Sequence, residues 1–373
     1  MTQPTVPQND PRAAYLAARE GIDQAIRRVL DGGWYILGTE VTAFEQEFAD
    51  FIGARHGIGV ANGTDALELA LRGLGVGPGD GVITVSHTAV ATVAAVELVG
   101  ATPILVDVDD MYCLDPAGLE AALAKAPVPV KAIIPVHLYG QPADMTAIMA
   151  LADARGIPVL EDCSQAHGAK LVGRTTGTFG RIAAYSLYPT KNLGALGDGG
   201  ILTTDDDVLC ERLRSLREYG WRERYVSDLP GMNTRLDELQ AAILRAKLPL
   251  LARDNARRRE IAAAYDAGVY SPKMTLPRRR FTAEHVFHQY VLETADRDGL
   301  RARLKESGIG TNIHYPMPVH LQPAYRGRVP LGPLGLKRTE AAATRVLSLP
   351  MYPQMTDTAV KRVIDAVRAA GQV

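Results

Sequence analysis

Between residues 56 and 204 the chain alternates short apolar runs with segments of helical spacing. The runs are HGIGVA (56–61), GVITV (81–85), TPILVDV (102–108), VKAIIPV (130–136), IPVLED (157–162), IAAYSLY (182–188) and GGILTT (199–204). Several intervening segments, such as TDALELALRGLG and DMTAIMALADARG, place apolar residues at i, i+3 and i+4. Strands that are apolar throughout have both faces covered, and helices between them let consecutive strands run in the same direction. The pattern predicts an α/β protein with a mostly parallel central sheet flanked by helices.

The texture changes after residue 236. The segment 237–268, DELQAAILRAKLPLLARDNARRREIAAAYDAG, reads as a long helix bent or interrupted near Pro249, where proline removes a hydrogen bond and crowds the preceding turn. SPKMTLPRRRF (271–281) reads as a connector, 285–310 as a strand followed by a helix, and Thr356–Ala370 as a final helix. The expected division is a large α/β domain over 1–250, including an N-terminal arm, and a smaller α+β domain over 251–373.

Composition narrows the function classes. The 373 residues are 47% hydrophobic and carry a formal net charge of −1, which suggests neither nucleic acid nor an anionic membrane as partner. The opening MTQPTVPQNDPRAAYL is polar and proline-rich and is not expected to act as a signal peptide. No apolar run approaches the roughly 20 residues that span a bilayer. Cys113, Cys163 and Cys210 are odd in number and widely spaced. That fits a reducing cytoplasm, and the spacing gives no support for a metal site.

Three stretches carry candidate chemistry. Asn62-Gly63-Thr64-Asp65-Ala66-Leu67 follows the first strand and opens a helix, with Thr64 the expected N-cap. Such a turn offers free N–H groups to a phosphate, although capped turns of this kind recur throughout α/β proteins. Glu161-Asp162-Cys163-Ser164-Gln165 closes an apolar strand, at the end where open α/β sheets bind ligands. A helix N-cap would account for one of the two acids but not for the set. Lys191 lies 29 residues beyond Asp162, between a strand and the glycine-rich GALGDGG. A desolvated lysine has a lowered pKa, and its neutral amine can attack a carbonyl. The lysine precedes the glycines, so the order of a phosphate-binding NTPase loop is not met. Together the three stretches supply what pyridoxal phosphate needs: an amine for its aldehyde, a carboxylate for its pyridine nitrogen and a helix start for its phosphate.

The blocks NGTDAL, EDCSQAHGA, YSLYPTKNLGALGDGG, RxYG (217–220), GMNTRLDELQAA and HYPMPVHLQPAY occur in order. The chain resembles the DegT/StrS family of sugar aminotransferases over most of its length, from about Tyr35 to Pro353. These are pyridoxal-phosphate enzymes of the aspartate-aminotransferase fold, fold type I. The resemblance implies that Lys191 is the Schiff-base lysine and the proton carrier. It implies that Asp162 partners the pyridine nitrogen and that Gln165 bonds the ring hydroxyl. Gly63, Thr64 and Ser186 match phosphate binders. Asn233 matches a residue reaching the phosphate from a neighbouring subunit, which implies a homodimer with shared active sites. One departure concerns Ser86-His87-Thr88-Ala89, where Ala89 occupies the place of the family's ring-stacking aromatic. His87 is the candidate substitute.

Tyr185, His314, Tyr315 and His320 are candidate substrate contacts, with core packing as the alternative for the tyrosine and a rigid domain-packing turn for HYP. The resemblance implies transfer of an amino group from L-glutamate to a nucleotide-linked keto-sugar, most like the branch aminating C-3 of dTDP-linked 3-keto-6-deoxyhexoses. C-4 amination, UDP-3-keto-uronic acids and keto-cyclitols remain alternatives. Dehydratases of the family carry histidine where this chain has Lys191. A non-catalytic regulatory or binding protein on the same fold is the reading from another class.

Overall fold

The computed structural model describes residues 5–269 and 271–371. Among them, the predicted runs become strands β1 (His56–Val60), β2 (Gly81–Val85), β3 (Thr102–Val106), β4 (Val130–Ile133), β5 (Leu160–Asp162), β6 (Ile182–Ser186) and β7 (Gly200–Thr204). Their order across the sheet is 1-7-6-5-4-2-3, the two halves joined by parallel bridges Ile133–Val159 and Val136–Asp162. β5 and β6 pair in parallel, as do β2 with β3 and with β4. β7 alone of the seven runs antiparallel to its neighbours, β6 and β1. β6 and β7 are joined directly by the loop that carries Lys191, residues 187–199.

Helices cover both faces. The helix Gly63–Gly73 packs under the sheet, contributing Ala66, Leu67, Leu69, Ala70 and Leu71 to a core shared with Ile58, Val60, Leu160, Ile182, Ala184 and Leu202. The opposite layer joins Phe44 and Phe48 to Tyr185, Leu187, Leu193 and Leu244.

The long helix is broken where Pro249 predicts. Glu238–Lys247 and Leu251–Gly268 are joined by a 3-10 turn over Leu248–Leu250, at the expected domain boundary. Beyond it, the strands Tyr290–Thr294 and Val346–Leu349 pair antiparallel and pack with helices Arg297–Glu306 and Asp357–Gly371. Val6, assigned from sequence to the arm of the large domain, is buried in this C-terminal core and bridges in parallel to Ile309. The arm thus straps the two parts together. No helix among the described residues is long and apolar enough to cross a membrane.

Candidate active site

A cavity of about 450 Å³ opens at the carboxyl ends of β5 and β6, walled by Gly63, Thr64, Asp162, Gln165, Ser186 and Lys191. Residues distant in sequence meet there because parallel strands deliver their ends to one edge of the sheet.

The helix start is built by Asn62, not Thr64. The Asn62 side chain accepts the Asp65 N–H at 2.9 Å and is the true N-cap. Thr64 is therefore in the first turn, with its backbone N–H and that of Gly63 left without intrahelical acceptors. Gly63 is required by close approach: a Cβ there would lie 2.7 Å from the Ser186 Cβ. The same contact places Ser186 beside the helix start, where the free N–H groups and the dipole favour an anion.

Asp162 and its neighbour Glu161 point to opposite faces of β5, as successive strand residues must. Asp162 accepts Thr92 Oγ1 at 2.9 Å and the Ser164 N–H at 3.1 Å, and it lines the cavity. Glu161 turns into the core and is fully engaged. It accepts the N–H groups of Gly177, Phe179 and Gly180 at 2.7–2.8 Å and His137 Nε2 at 3.0 Å. Glu161, His137 and Cys163 sit close enough to suggest a metal trio. However, His137 Nδ1 accepts the Ala143 N–H, so Nε2 carries the proton and donates to Glu161. The histidine has no lone pair left for an ion.

Lys191 stands on the cavity wall. Enclosure by protein lowers its pKa to about 8, with the nearby Asp162 carboxylate opposing that fall. At pH 7 roughly a tenth of such an amine is neutral, about two hundred times more than for an ordinary lysine. The residue after it, Asn192, donates to Asn255 Oδ1 at 2.8 Å and to the Val286 carbonyl at 3.0 Å, while His288 bonds its Oδ1. These long-range clamps fix the loop. The sequence reading missed Asn255 and His288, which have no short-range signature. His314, a predicted substrate contact, is bonded to Ser348 Oγ at 2.8 Å. Burial and the Lys191 ammonium push its pKa down to about 4, so it is a neutral imidazole.

Gln165 is pinned at both ends. Its Oε1 accepts the Tyr139 N–H at 2.8 Å and its Nε2 donates to Tyr315 Oη at 3.1 Å. One N–H remains to meet a ring oxygen. Tyr315 is thus brought to the site through Gln165.

Several candidates lie elsewhere. Tyr185 is fully buried, packs edge-on against Phe48 and donates to the Thr176 carbonyl at 3.0 Å. The core alternative holds for it. His320 is buried against Ser86 at 2.8 Å and Glu340 at 3.2 Å and does not line the cavity. His87 does not replace the missing aromatic: it is buried and bonded to Tyr139 Oη at 2.9 Å, whereas Ala89 faces the cavity. Asn233 is exposed in this chain and lies outside the cavity wall.

The half-buried amine, the carboxylate within its field, the helix start at Ser186 and the half-satisfied amide are the donor set that pyridoxal phosphate requires, and a cavity of this size suits one cofactor with part of a substrate. The fold is that of a fold-type-I aminotransferase. The chain belongs to the DegT/DnrJ/EryC1/StrS aminotransferase family, whose profile matches residues 17–368. It is 49% identical over 98% of its length, and 96% of the relative's, to the dTDP-3-amino-3,4,6-trideoxy-alpha-D-glucose transaminase of Streptomyces venezuelae. It is 45% identical, with 99% of each chain covered, to a UDP-N-acetyl-3-dehydro-alpha-D-glucosamine 3-aminotransferase of Acidithiobacillus ferrooxidans. The crystal structure of S. venezuelae DesV in complex with a ketimine intermediate superposes with a TM-score of 0.95 at 48% identity over the whole of both chains.

Proposed function

We propose that this chain is a pyridoxal-phosphate aminotransferase that moves an amino group from L-glutamate to a nucleotide-linked 3-keto-sugar, with a dTDP-linked 3-keto-6-deoxyhexose as the favoured acceptor. The observation that carries the reading is Lys191, a lysine with its pKa near 8 in one cavity with Asp162 and the helix start at Gly63. The high identity to the S. venezuelae transaminase supports the dTDP-sugar over the UDP-linked alternative.

Bound pyridoxal phosphate would supply an electron sink that stabilises negative charge on the amine-bearing carbon. Gly63, Thr64 and Ser186 would hold its phosphate, Asp162 its pyridine N–H and Gln165 its ring oxygen. Lys191 would hold the aldehyde carbon, and its released amine would carry the proton between substrate carbon and cofactor. Burial suits it to that role: a base poised near the working pH both accepts and returns a proton. The neutral His314 beside it adds no competing charge. Because donor and acceptor use one site in turn, ping-pong kinetics are expected.

A homodimer with shared sites is part of the proposal. Trp34, Tyr219, Trp221 and Tyr225 line one depression, with Trp34 66% and Tyr225 74% exposed, an aromatic surface interspersed with arginines and glutamates and suited to a second copy. The exposed Asn233 pairs through its backbone with Glu218 on that side. The buried, unpaired Cys113, Cys163 and Cys210 suit a reducing cytoplasm. Lys191 and Asp162, both placed in the cavity, speak against a non-catalytic role, and Lys191 against a dehydratase.

The test offers the pyridoxamine-phosphate form a panel of dTDP- and UDP-linked keto-sugars and follows its spectrum. Conversion by a dTDP-linked 3-keto-sugar is expected. Conversion only by a UDP-linked sugar would move the acceptor class, and conversion by none would overturn the reading.

A further inference from the structure

We propose that a second, smaller cavity, behind the loop that carries Lys191, binds a small monovalent inorganic anion, with chloride as its cellular occupant. The cavity measures about 30 Å³ and lies between the N-terminal arm at Asn9, the loop Pro189–Leu193, Lys247, Arg258 and Gln354. One water needs about 10–15 Å³ on this measure, so the space takes one or two small species and no organic substrate.

Its walls carry unbalanced charge. With the Lys191 amine committed to the larger cavity, Lys247, Arg253 and Arg258 face two acids, Asp10 and Asp254. Asp254 pairs with Arg253 at 3.0 Å, and Asp10 caps the helix Pro11–Ala17 by accepting the Ala13 N–H at 2.9 Å. Lys247 donates only to the Gly194 carbonyl, and Arg258 Nη1 donates to the carbonyls of Phe287 at 3.1 Å and Met351 at 2.9 Å. Neither cation forms an ion pair among the described residues. Arg258 is buried and Lys247 half-buried, and a charge enclosed without an ion-pair partner is costly, so an anion is the natural relief.

A second observation points the same way. Arg258 is 3% exposed and its Nε has no hydrogen-bond partner. The Gln354 Oε1 is also buried and unpartnered. Turning that amide over would present its N–H₂ group instead. Burial lowers Lys247 to about 8 and Arg258 to about 10, and the Asp254 carboxylate, already paired with Arg253, only partly opposes the two falls. Asn9 donates to the Thr190 carbonyl at 3.4 Å, so a bound anion would reinforce the tie between the arm and the loop preceding Lys191.

The test uses the full-length protein loaded with pyridoxal phosphate. Crystals grown without halide are soaked in sodium bromide and read for anomalous scattering. In parallel, Tm is measured in sodium chloride against sodium gluconate at equal ionic strength. The expected results are a bromide peak beside Lys247 and Arg258 and a saturable, chloride-specific rise in Tm. Lys247→Gln should weaken the anion about tenfold or more. The wild-type bromide measurement stands even where that variant does not fold. A cavity without bromide, together with equal Tm in chloride and gluconate, would overturn the proposal.

Discussion

Glu161 and Asp162 are chemically similar neighbours on one strand, yet they serve different ends. Glu161 faces the core, where three backbone N–H groups and His137 saturate it. It builds the turn at Gly177–Gly180. Asp162 faces the cavity with two bonds, leaving acceptor capacity toward a ligand. The contrast teaches that burial and charge do not identify a functional acid. Unfilled hydrogen-bonding capacity at an open cavity does. The same holds for the lysines: Lys191 and Lys247 both fall to about 8, but only Lys191 lies in the cavity with Asp162.

The sharpest break of this contrast starts with Lys191→Ala. We expect kcat for transamination to fall by at least about 1000-fold, measured as release of 2-oxoglutarate, with the fold retained by circular dichroism. Asp162→Asn should follow, lowering kcat about 100- to 1000-fold while leaving Tm nearly unchanged. Glu161→Gln should show the opposite profile. It should cost about 2–4 kcal/mol in urea denaturation, because Gln cannot satisfy every donor around it, while activity per folded molecule is retained. If Asp162→Asn unfolds the protein and Glu161→Gln only slows it, the assignment of the two acids is reversed.

Two smaller effects sharpen the picture. The neutral Lys191 amine is the form that attacks an aldehyde, and its pKa is lowered. The rate at which cofactor-free protein takes up pyridoxal phosphate should therefore fall about tenfold per pH unit below about 8 and level off above it, followed by visible absorbance. Flat behaviour from pH 6 to pH 8 would contradict the placement of that amine. Tyr315→Phe removes one bond from Gln165 and should weaken cofactor binding about three- to tenfold without changing the fold.

Much of this was legible in the sequence, because strand runs and helix spacing are local signals. The seven apolar runs became the seven central strands, and the break at Pro249 fell where proline chemistry puts it. That Gly63, Asp162 and Lys191 would meet in one cavity was also legible, because the sheet brings the strand ends that carry them together. What escaped depended on distant contacts. The reversal of β7 comes after a loop whose length carries no directional signal. Asn62 outcompeted Thr64 as N-cap through one side-chain bond. Tyr185, His320 and His87 found partners in Thr176, Ser86 and Tyr139 that no spacing rule anticipates. Val6 joined a core more than 250 residues away in sequence.

The central claim concerns one covalent attachment. Protein loaded with pyridoxal phosphate can be reduced with borohydride, digested and mapped by mass spectrometry. Modification of Lys191, and of no other lysine at comparable yield, is the predicted result. Modification at Lys247, whose amine is as readily neutral but lies away from Asp162, or the absence of any modified peptide, would contradict the account.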